Sequence, residues 1–301
     1  MNSWAAVDLP ALLAALLALV ACGSTGHWLV LRRQALAGDA IAHAVLPGLV
    51  GGFLVTGTRS PLAMLAGAAI AGVATVLLAE LAQRRARTDR ATALGIVFTA
   101  AFALGIALLE TQGARQVDLD PSCVLFGSLE TIFAVPAPDA AGFAAWLRAL
   151  PREVWSVFAA CIATLGFSAA FRRELAALAF DRGFARTSGA SPRWLENTLL
   201  AVTSMAIVAS FEAVGSVLVL ALLCCPTLVA APFARHSTQR LWLGLALSAL
   251  VATPAYFLAA HAPTVLGART ALNASGMIAV ALACAVALAH LGAKLVSRRS
   301  A

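Results

Sequence analysis

Long apolar runs separated by short polar segments follow one another along nearly the whole chain. A membrane-spanning helix needs about 20 mostly apolar residues. Runs of that kind predict transmembrane helices at 10–31, 36–56, 61–82, 92–111, 154–171, 195–210, 213–234, 241–260 and 271–293. The pair 195–210 and 213–234 is the weakest, because the first run is short and Glu212 interrupts the apolar pattern. The pattern therefore predicts an all-α polytopic membrane protein with 8–9 transmembrane helices, forming one domain over residues 1–301.

Two connections between the runs are longer than a tight turn requires. Residues 112–153 contain an apolar stretch, 123–135, that is too short to cross a bilayer, so we expect a re-entrant or interfacial segment on the extracytoplasmic side. Residues 172–194 mix charged and apolar positions and end at Gly189 and Pro192. This pattern predicts a helical segment outside the bilayer that a partner protein could bind.

The composition supports a membrane protein. Hydrophobic residues make up 61% of the chain, charged residues 12%, and the mean hydropathy is +0.89, whereas a soluble domain carries about 25% charged residues. The segment Met1–Pro10 has no Lys or Arg, so it lacks the basic region of a cleavable signal peptide. We interpret the first apolar run as a retained helix.

The net charge of +7 reflects membrane orientation rather than nucleic-acid binding, because the basic residues lie in short loops between apolar runs. Nine helices with the N-terminus outside leave only five of the 21 basic residues on the outer side, namely Arg59, Arg115, Arg148, Arg152 and Arg269. Positive residues concentrate in cytoplasmic loops. We therefore predict an outer N-terminus and a cytoplasmic C-terminus.

Two ionisable residues, Asp39 and His43, lie inside the second apolar run. Charged groups at bilayer depth cost about 2.5–3.5 kcal/mol each, so they usually persist for a function. Their i, i+4 spacing places a carboxylate and an imidazole on one side of a helix. That pair suits a divalent transition metal. The alternative is structural: Asp39 caps the start of the helix and His43 bonds to a neighbouring helix.

The same run carries two stripes at four-residue spacing. Asp39, His43, Pro47 and Gly51 form a polar stripe, and small residues form the next one at positions 40, 44, 48 and 52. Small residues allow helices to approach closely in lipid, so the polar stripe is expected to face a packed interior or a pore. Pro47 should loosen the helix and release a backbone carbonyl. Glu212 is either an outer loop residue or an acid that lines a path.

Several chemistries are excluded by what the sequence lacks. The only lysine is Lys294, and no phosphate-binding loop precedes it, so this chain cannot be an ATPase. No hydrolase motif of the His-Glu-x-x-His or Gly-x-Ser-x-Gly type is present. The six cysteines show no metal-type spacing. Cys224 and Cys225 beside Pro226 could offer soft ligands, or they could serve helix packing.

Five motifs together resemble one known family. The most specific is Leu36–Gly48, which reads LAGDAIAHAVLPG. The others are Asp89 with Ala93, Gly95, Ile96, Phe98, Gly105 and Ile106; Leu125–Ser128; Phe180 and Asp181 with Ala185 and Gly189; and Glu212–Gly215 continuing to Leu222, Leu223 and Pro226. These motifs resemble the permease subunits of ATP-binding-cassette importers for zinc, manganese and iron(II). Cys224-Cys225 and Thr227-Leu228 depart from the family pattern around Pro226.

The resemblance implies the metal ABC importer permease fold and ATP-driven import of a divalent metal (Mn, Zn or Fe) across the cytoplasmic membrane of a bacterium. Asp39 and His43 would form the metal site of the translocation path, with Pro47 and Glu212 as further path-lining residues. The metal would be the transported substrate, with no permanently bound cofactor. Phe180, Asp181, Ala185 and Gly189 would couple to the ATPase.

The resemblance also implies an assembly. Its partners would be a second permease copy or a close paralogue, a cytoplasmic dimer of ATPases and an extracytoplasmic metal-binding protein. The chain itself would be a transport subunit and not an enzyme.

Two other functions also fit the residues. A secondary cation transporter driven by an ion gradient could use Asp39, His43 and Glu212 as a relay, and it would need no ATPase. A permease of the same architecture could import an iron or cobalt chelate, although a wide apolar path fits poorly beside a stripe of small residues. Carboxylate and imidazole ligands do not reject zinc by affinity alone, so the sequence leaves the metal open.

Overall fold

The computed structural model describes residues 3–57, 61–109, 129–134, 143–187, 191–265 and 272–299. Over these ranges the chain is helical apart from turns and a 3₁₀ turn at Leu129–Thr131. The helices are α1 Ser3–Leu31, α2 Ala35–Thr56, α3 Pro61–Ala86, α4 Arg90–Leu109, α5 Phe143–Arg148, α6 Arg152–Ala170, α7 Arg172–Phe180, α8 Arg182–Thr187, α9 Pro192–Ala230, α10 Ser237–Val265 and α11 Ala274–Arg299.

Eight helices in the described ranges are long and apolar enough to cross a membrane: α1, α2, α3, α4, α6, α9, α10 and α11. This confirms the predicted all-α polytopic fold. Several helices extend beyond the predicted apolar runs. Helix α11, for example, continues through the polar residues up to Arg299, because helical hydrogen bonding does not depend on the side chains being apolar.

Contacts between helix ends define what we call the basic end of the bundle. Arg32, just after α1, pairs with Glu196 in the first turns of α9. Near the end of α6, Ser168 Oγ donates a hydrogen bond to the Ser24 carbonyl of α1 over 3.5 Å. Helices α1 and α6 therefore finish at this end, where α7 begins with Arg172 and α9 begins close to Glu196.

The opposite end, which we call the far end, contains the start of α1. The Tyr256 hydroxyl of α10 donates a hydrogen bond to Asp8 Oδ1 over 3.4 Å. Asp8 lies in the second turn of α1, and Tyr256 lies in the last third of α10. The backbone N–H of Ala274, the first residue of α11, donates to Glu130 of the 3₁₀ turn over 2.9 Å.

Helix α9 reverses its direction at Gly215. This residue has φ 76° and ψ 167°, a left-handed backbone that favours glycine. On α1, Cys22 Sγ lies 3.4 Å from Ser210 Oγ, and the adjacent Gly23 packs against Leu222. In a straight helix the 12 residues from Ser210 to Leu222 would cover about 18 Å. Neighbouring residues of α1 can contact both positions only if α9 folds back on itself.

The two limbs of α9, residues 192–214 and 216–230, consequently lie side by side against α1. This agrees with the two antiparallel spans predicted at 195–210 and 213–234. The turn comes at Gly215, slightly after the predicted interruption at Glu212, because only a glycine tolerates the required φ. Both ends of α9 lie at the basic end of the bundle.

The stripe of small residues on α2 makes the expected close contact with α3. A Cβ atom on Gly48 would lie 2.5 Å from the Cα of Ala68, and a Cβ atom on Gly67 would collide with the Gly48 carbonyl. Ala40 and Ala44 are fully buried. The backbones of α2 and α3 can touch because these positions lack bulk. The packing leaves the neighbouring polar stripe directed away from α3.

The long connection 112–153 is described only in part. Leu129, Ile132 and Ala134 are buried against the bundle, whereas Glu130, Thr131 and Phe133 are exposed. The Leu125–Ser128 motif lies outside the described residues.

Asp89 stands immediately before α4 and caps it. Its Oδ2 accepts a 3.0 Å hydrogen bond from the Thr92 backbone N–H, and its other oxygen accepts one from the Thr92 hydroxyl. These two bonds favour the ionised form, so they lower the pKa of the exposed Asp89 carboxyl below its ordinary value. The start of the predicted fourth-helix motif is therefore a helix cap.

Candidate functional site

Asp39 lies inside α2 and does not cap it. The helix begins at Ala35, with Gln34 as its N-cap residue, so Asp39 is already in the second turn. The structural alternative in which Asp39 caps the helix is therefore wrong. The backbone N–H groups without helical partners belong to the residues before Asp39. The Asp39 carboxylate therefore does not bond to them.

The carboxylate and the imidazole converge as their spacing predicted. Asp39 Oδ1 lies 3.4 Å from His43 Nε2. The side chains are 22% and 31% exposed, so both stay accessible from one side. Two ligands bound at about 2.0–2.1 Å to a tetrahedral zinc ion are roughly 3.4 Å apart. The distance between Asp39 Oδ1 and His43 Nε2 is therefore the distance expected between two ligand atoms of one metal ion.

Two aromatic rings of α4 hold the imidazole of His43 in place. The Phe98 ring stacks on it with centroids 5.4 Å apart, and the Phe102 ring meets it edge-on at 5.5 Å. These contacts restrict rotation of the imidazole and keep Nε2 directed toward Asp39. Phe98 belongs to the fourth-helix motif, but sequence reasoning missed Phe102. Its spacing of four residues from Phe98 was the available signal.

Pro47 leaves one backbone carbonyl of α2 without its usual helical hydrogen-bond donor. Helix α2 continues through Pro47, which has no N–H to donate to the carbonyl four residues earlier. That carbonyl belongs to His43. The carbonyl that Pro47 was predicted to release is thus that of His43, the same residue that supplies the imidazole.

The second limb of α9 approaches the start of α2. Gly38 packs against the Leu223 side chain, and Cys224 lies close enough to Asp39 for an electrostatic interaction. Cys224 and Cys225 are free thiols and are partly buried. Among the described residues, however, no three His, Cys, Asp or Glu side chains converge closely enough to hold one ion.

Glu212 lies away from the pair. It sits one turn before Gly215 and is exposed, and its electrostatic neighbours include Arg152 and Glu153 at the start of α6. That start belongs to the far end of the bundle, whereas Asp39 is close to the basic end. The structure does not bring Glu212 together with Asp39 and His43, so a direct three-residue relay has no geometric support.

The predicted coupling segment forms two short helices, α7 and α8, joined at Asp181. The Asp181 carboxylate accepts a 2.7 Å hydrogen bond from the Gly183 N–H, which fixes the angle between them. Phe180 is 90% exposed and Phe184 is 57% exposed, while Ala185 is fully buried. The segment therefore presents two phenyl rings outward at the basic end. Gly189 lies outside the described residues.

Comparison with known proteins assigns the chain to a family. Residues 6–136 and 143–297 match the ABC 3 transport family. The chain is 37% identical over 207 residues to the zinc transport system membrane protein TroD of Treponema pallidum, covering 69% of this chain and 54% of that protein. This match spans about half the length of TroD.

A second relative is matched over more of its length. The manganese transport system membrane protein MntD of Bacillus subtilis is 36% identical over 233 residues, covering 77% of this chain and 75% of that protein. The fold resembles PsaBC from Streptococcus pneumoniae, solved in complex with Fab, with a TM-score of 0.73, 22% identity and coverage of 93% of this chain and 90% of that chain. The family match covers nearly the whole chain, and the chain therefore belongs to the ABC 3 transport family.

Proposed function

We propose that this chain is the permease of an ATP-driven importer that carries a divalent transition metal through a path gated by Asp39 and His43. The 3.4 Å separation of Asp39 Oδ1 and His43 Nε2 inside a transmembrane helix carries this proposal. The names of TroD and MntD, which refer to zinc and manganese transport, support the same class of cargo. Either ion accepts carboxylate and imidazole ligands.

A second permease copy completes the site in this proposal. Zinc sites use three or four protein ligands, and within the described residues each chain offers the Asp39–His43 pair without a third converging side chain. Two copies facing each other would supply two carboxylates and two imidazoles. A pair of ligands in each copy also permits release, because separating the copies halves the coordination shell.

Energy for transport would enter through α7 and α8. A cytoplasmic ATPase dimer would bind the exposed rings of Phe180 and Phe184. Helix α9 starts shortly after α8, and its second limb reaches Leu223 beside Gly38, next to Asp39. A movement of α8 would thus be transmitted through the two limbs of α9 to Asp39 and His43. An extracytoplasmic binding protein would deliver the ion at the far end.

The test is the metal content of whole cells, measured by mass spectrometry. A strain that lacks the chromosomal permease but retains its ATPase and binding protein would express either wild type or His43→Ala at matched levels. We expect wild type to restore one transition metal and His43→Ala to fail. Deleting the ATPase should abolish uptake by wild type, whereas a gradient-driven carrier would continue.

His290→Ala is the matched control. His290 is an exposed histidine on α11 whose Nδ1 lies 3.0 Å from the Val286 carbonyl of its own helix. We expect this variant to transport like wild type. Equal restoration by His43→Ala would remove His43 from the mechanism. Recovery of a chelate without recovery of any free ion would replace the proposed cargo.

A further inference from the structure

A cavity of about 160 Å³ opens at the basic end, where α1, α6 and α10 meet. At ~30 Å³ per water molecule it has room for about five waters, or for a phosphate group. Its lining does not include Asp39 or His43, and no step of the proposed transport mechanism uses it. The lining residues are His27, Trp28, Leu165, Ser168, Ala169, Arg172, Ser237, Thr238, Leu241 and Trp242.

On α6 and α10 the lining changes from polar to apolar with distance from the basic end. Arg172 follows the end of α6, and Ser237 and Thr238 begin α10, so these polar residues lie outermost at the basic end. Leu165 and Leu241 lie one to two turns deeper in the same helices. A phospholipid has the same order, with a charged phosphate at the interface and acyl chains below it.

The open side of the cavity carries the residues that membranes favour at their interface. Arg172 and Thr238 are exposed, and Trp242 is 57% exposed. Tryptophan concentrates at the level of the lipid headgroups, and basic pockets between transmembrane helices on the cytoplasmic side bind anionic headgroups. The rim therefore combines an aromatic anchor with a guanidinium that can bind a phosphate.

The side of the cavity formed by α1 is buried and polar. His27 is fully buried, and its Nε2 lies 3.0 Å from Ser237 Oγ while its Nδ1 lies 3.2 Å from Thr227 Oγ1. Trp28 is 4% exposed, and its Nε1–H has no hydrogen-bond partner among the described residues. Buried polar groups are normally satisfied. A ligand oxygen in this cavity would offer an acceptor to the Trp28 N–H.

We propose that this cavity binds the phosphate of an anionic phospholipid, with Arg172 as its charged ligand and Trp242 against its glycerol and acyl region. This inference is independent of the transported substrate and of the Asp39–His43 site. Because Arg172 is also the first residue of α7, a bound lipid would brace the start of the segment assigned to ATPase docking.

The test compares lipid retention by the purified chain in native mass spectrometry, using dioleoyl-phosphatidylglycerol and dioleoyl-phosphatidylcholine as probes. Hydrogen bonds to charged groups contribute about 1.5–3 kcal/mol. We therefore expect Arg172→Gln to lower phosphatidylglycerol retention by about tenfold or more. Arg173→Gln is the matched control, because Arg173 is an adjacent exposed arginine that does not line the cavity. It should retain the lipid like wild type.

Equal losses in Arg172→Gln and Arg173→Gln would show diffuse surface charge and overturn the site. Trp242→Ala separates a lipid from a free anion, because only a lipid has an acyl region for the indole to contact. The variant should lose phosphatidylglycerol. Displacement of the lipid by millimolar inorganic phosphate, with Trp242→Ala unaffected, would overturn the lipid assignment in favour of a soluble anion.

Discussion

At the scale of single residues, two charged pairs of this membrane protein lie in different environments. Asp39 and His43 are partly exposed along one side of α2, as a transient site for a transported ion requires. Arg32 and Glu196 form an ion pair whose side chains are only 4% and 8% exposed. The second pair joins the end of α1 to the start of α9, so it fixes the region between the coupling segment and α2.

Removing one member of the buried pair should destabilise the protein strongly. We expect Glu196→Ala to cost about 3–5 kcal/mol, because Arg32 would keep its charge in a buried position. The matched control is the exposed pair Arg84–Glu80, with a 3.3 Å separation, where Glu80→Ala should cost less than about 1 kcal/mol. Thermal unfolding of the purified variants measures the difference, and equal melting temperatures would contradict the structural role of Arg32–Glu196.

At the scale of elements, the short helices α7 and α8 lead toward the hairpin of α9. The elbow at Asp181 orients α7 and α8, and Pro192 opens α9 at its first position, where a missing N–H costs nothing. Gly215 then returns the chain to the basic end. Phe180 is exposed at the end of α7, where we propose that the ATPase binds.

Phe180→Ala should weaken binding of the ATPase without affecting the fold, because the ring is 90% exposed. Aromatic anchors at the centre of an interface contribute about 2 kcal/mol or more, so co-purification of the ATPase should fall at least about tenfold. Phe233→Ala is the control, since Phe233 is a 55% exposed phenylalanine in the turn between α9 and α10. Undiminished co-purification with Phe180→Ala would place the ATPase elsewhere.

At the scale of the whole molecule, the fold-back of α9 determines the topology. Among the described residues, seven other helices are long and apolar enough to cross a membrane once, namely α1, α2, α3, α4, α6, α10 and α11. Because α9 enters and returns at the basic end, the described residues Ser3 and Arg299 lie at opposite ends of the bundle. A straight α9 would have placed them at the same end.

Protease accessibility of terminal epitope tags tests this topology in spheroplasts. We expect a tag at the N-terminus to be cleaved in intact spheroplasts and a tag at the C-terminus to be protected, because the basic end should face the cytoplasm. Permeabilised spheroplasts, in which both tags become accessible, serve as the control. Cleavage of both tags in intact spheroplasts would mean that α9 crosses the membrane once.

Local sequence patterns were sufficient to predict the class of fold, the position of most helices and the Asp39–His43 pair. These features depend on local rules, since apolar length decides a membrane helix and i, i+4 spacing places two side chains together. The limits of such rules appeared at Glu212, which the apolar pattern marked as an interruption although the turn itself is at Gly215.

Contacts between distant segments of the chain, in contrast, became visible only in the folded structure. Phe102 against His43, Leu223 beside Gly38, and the cavity that Arg172 shares with α1 and α10 each join residues from separate helices. No local pattern encodes those contacts, because side-chain packing selects which faces meet when every helix is apolar on most sides. The same packing turned an apparent 39-residue helix into a hairpin whose two limbs begin and end at the basic end of the bundle.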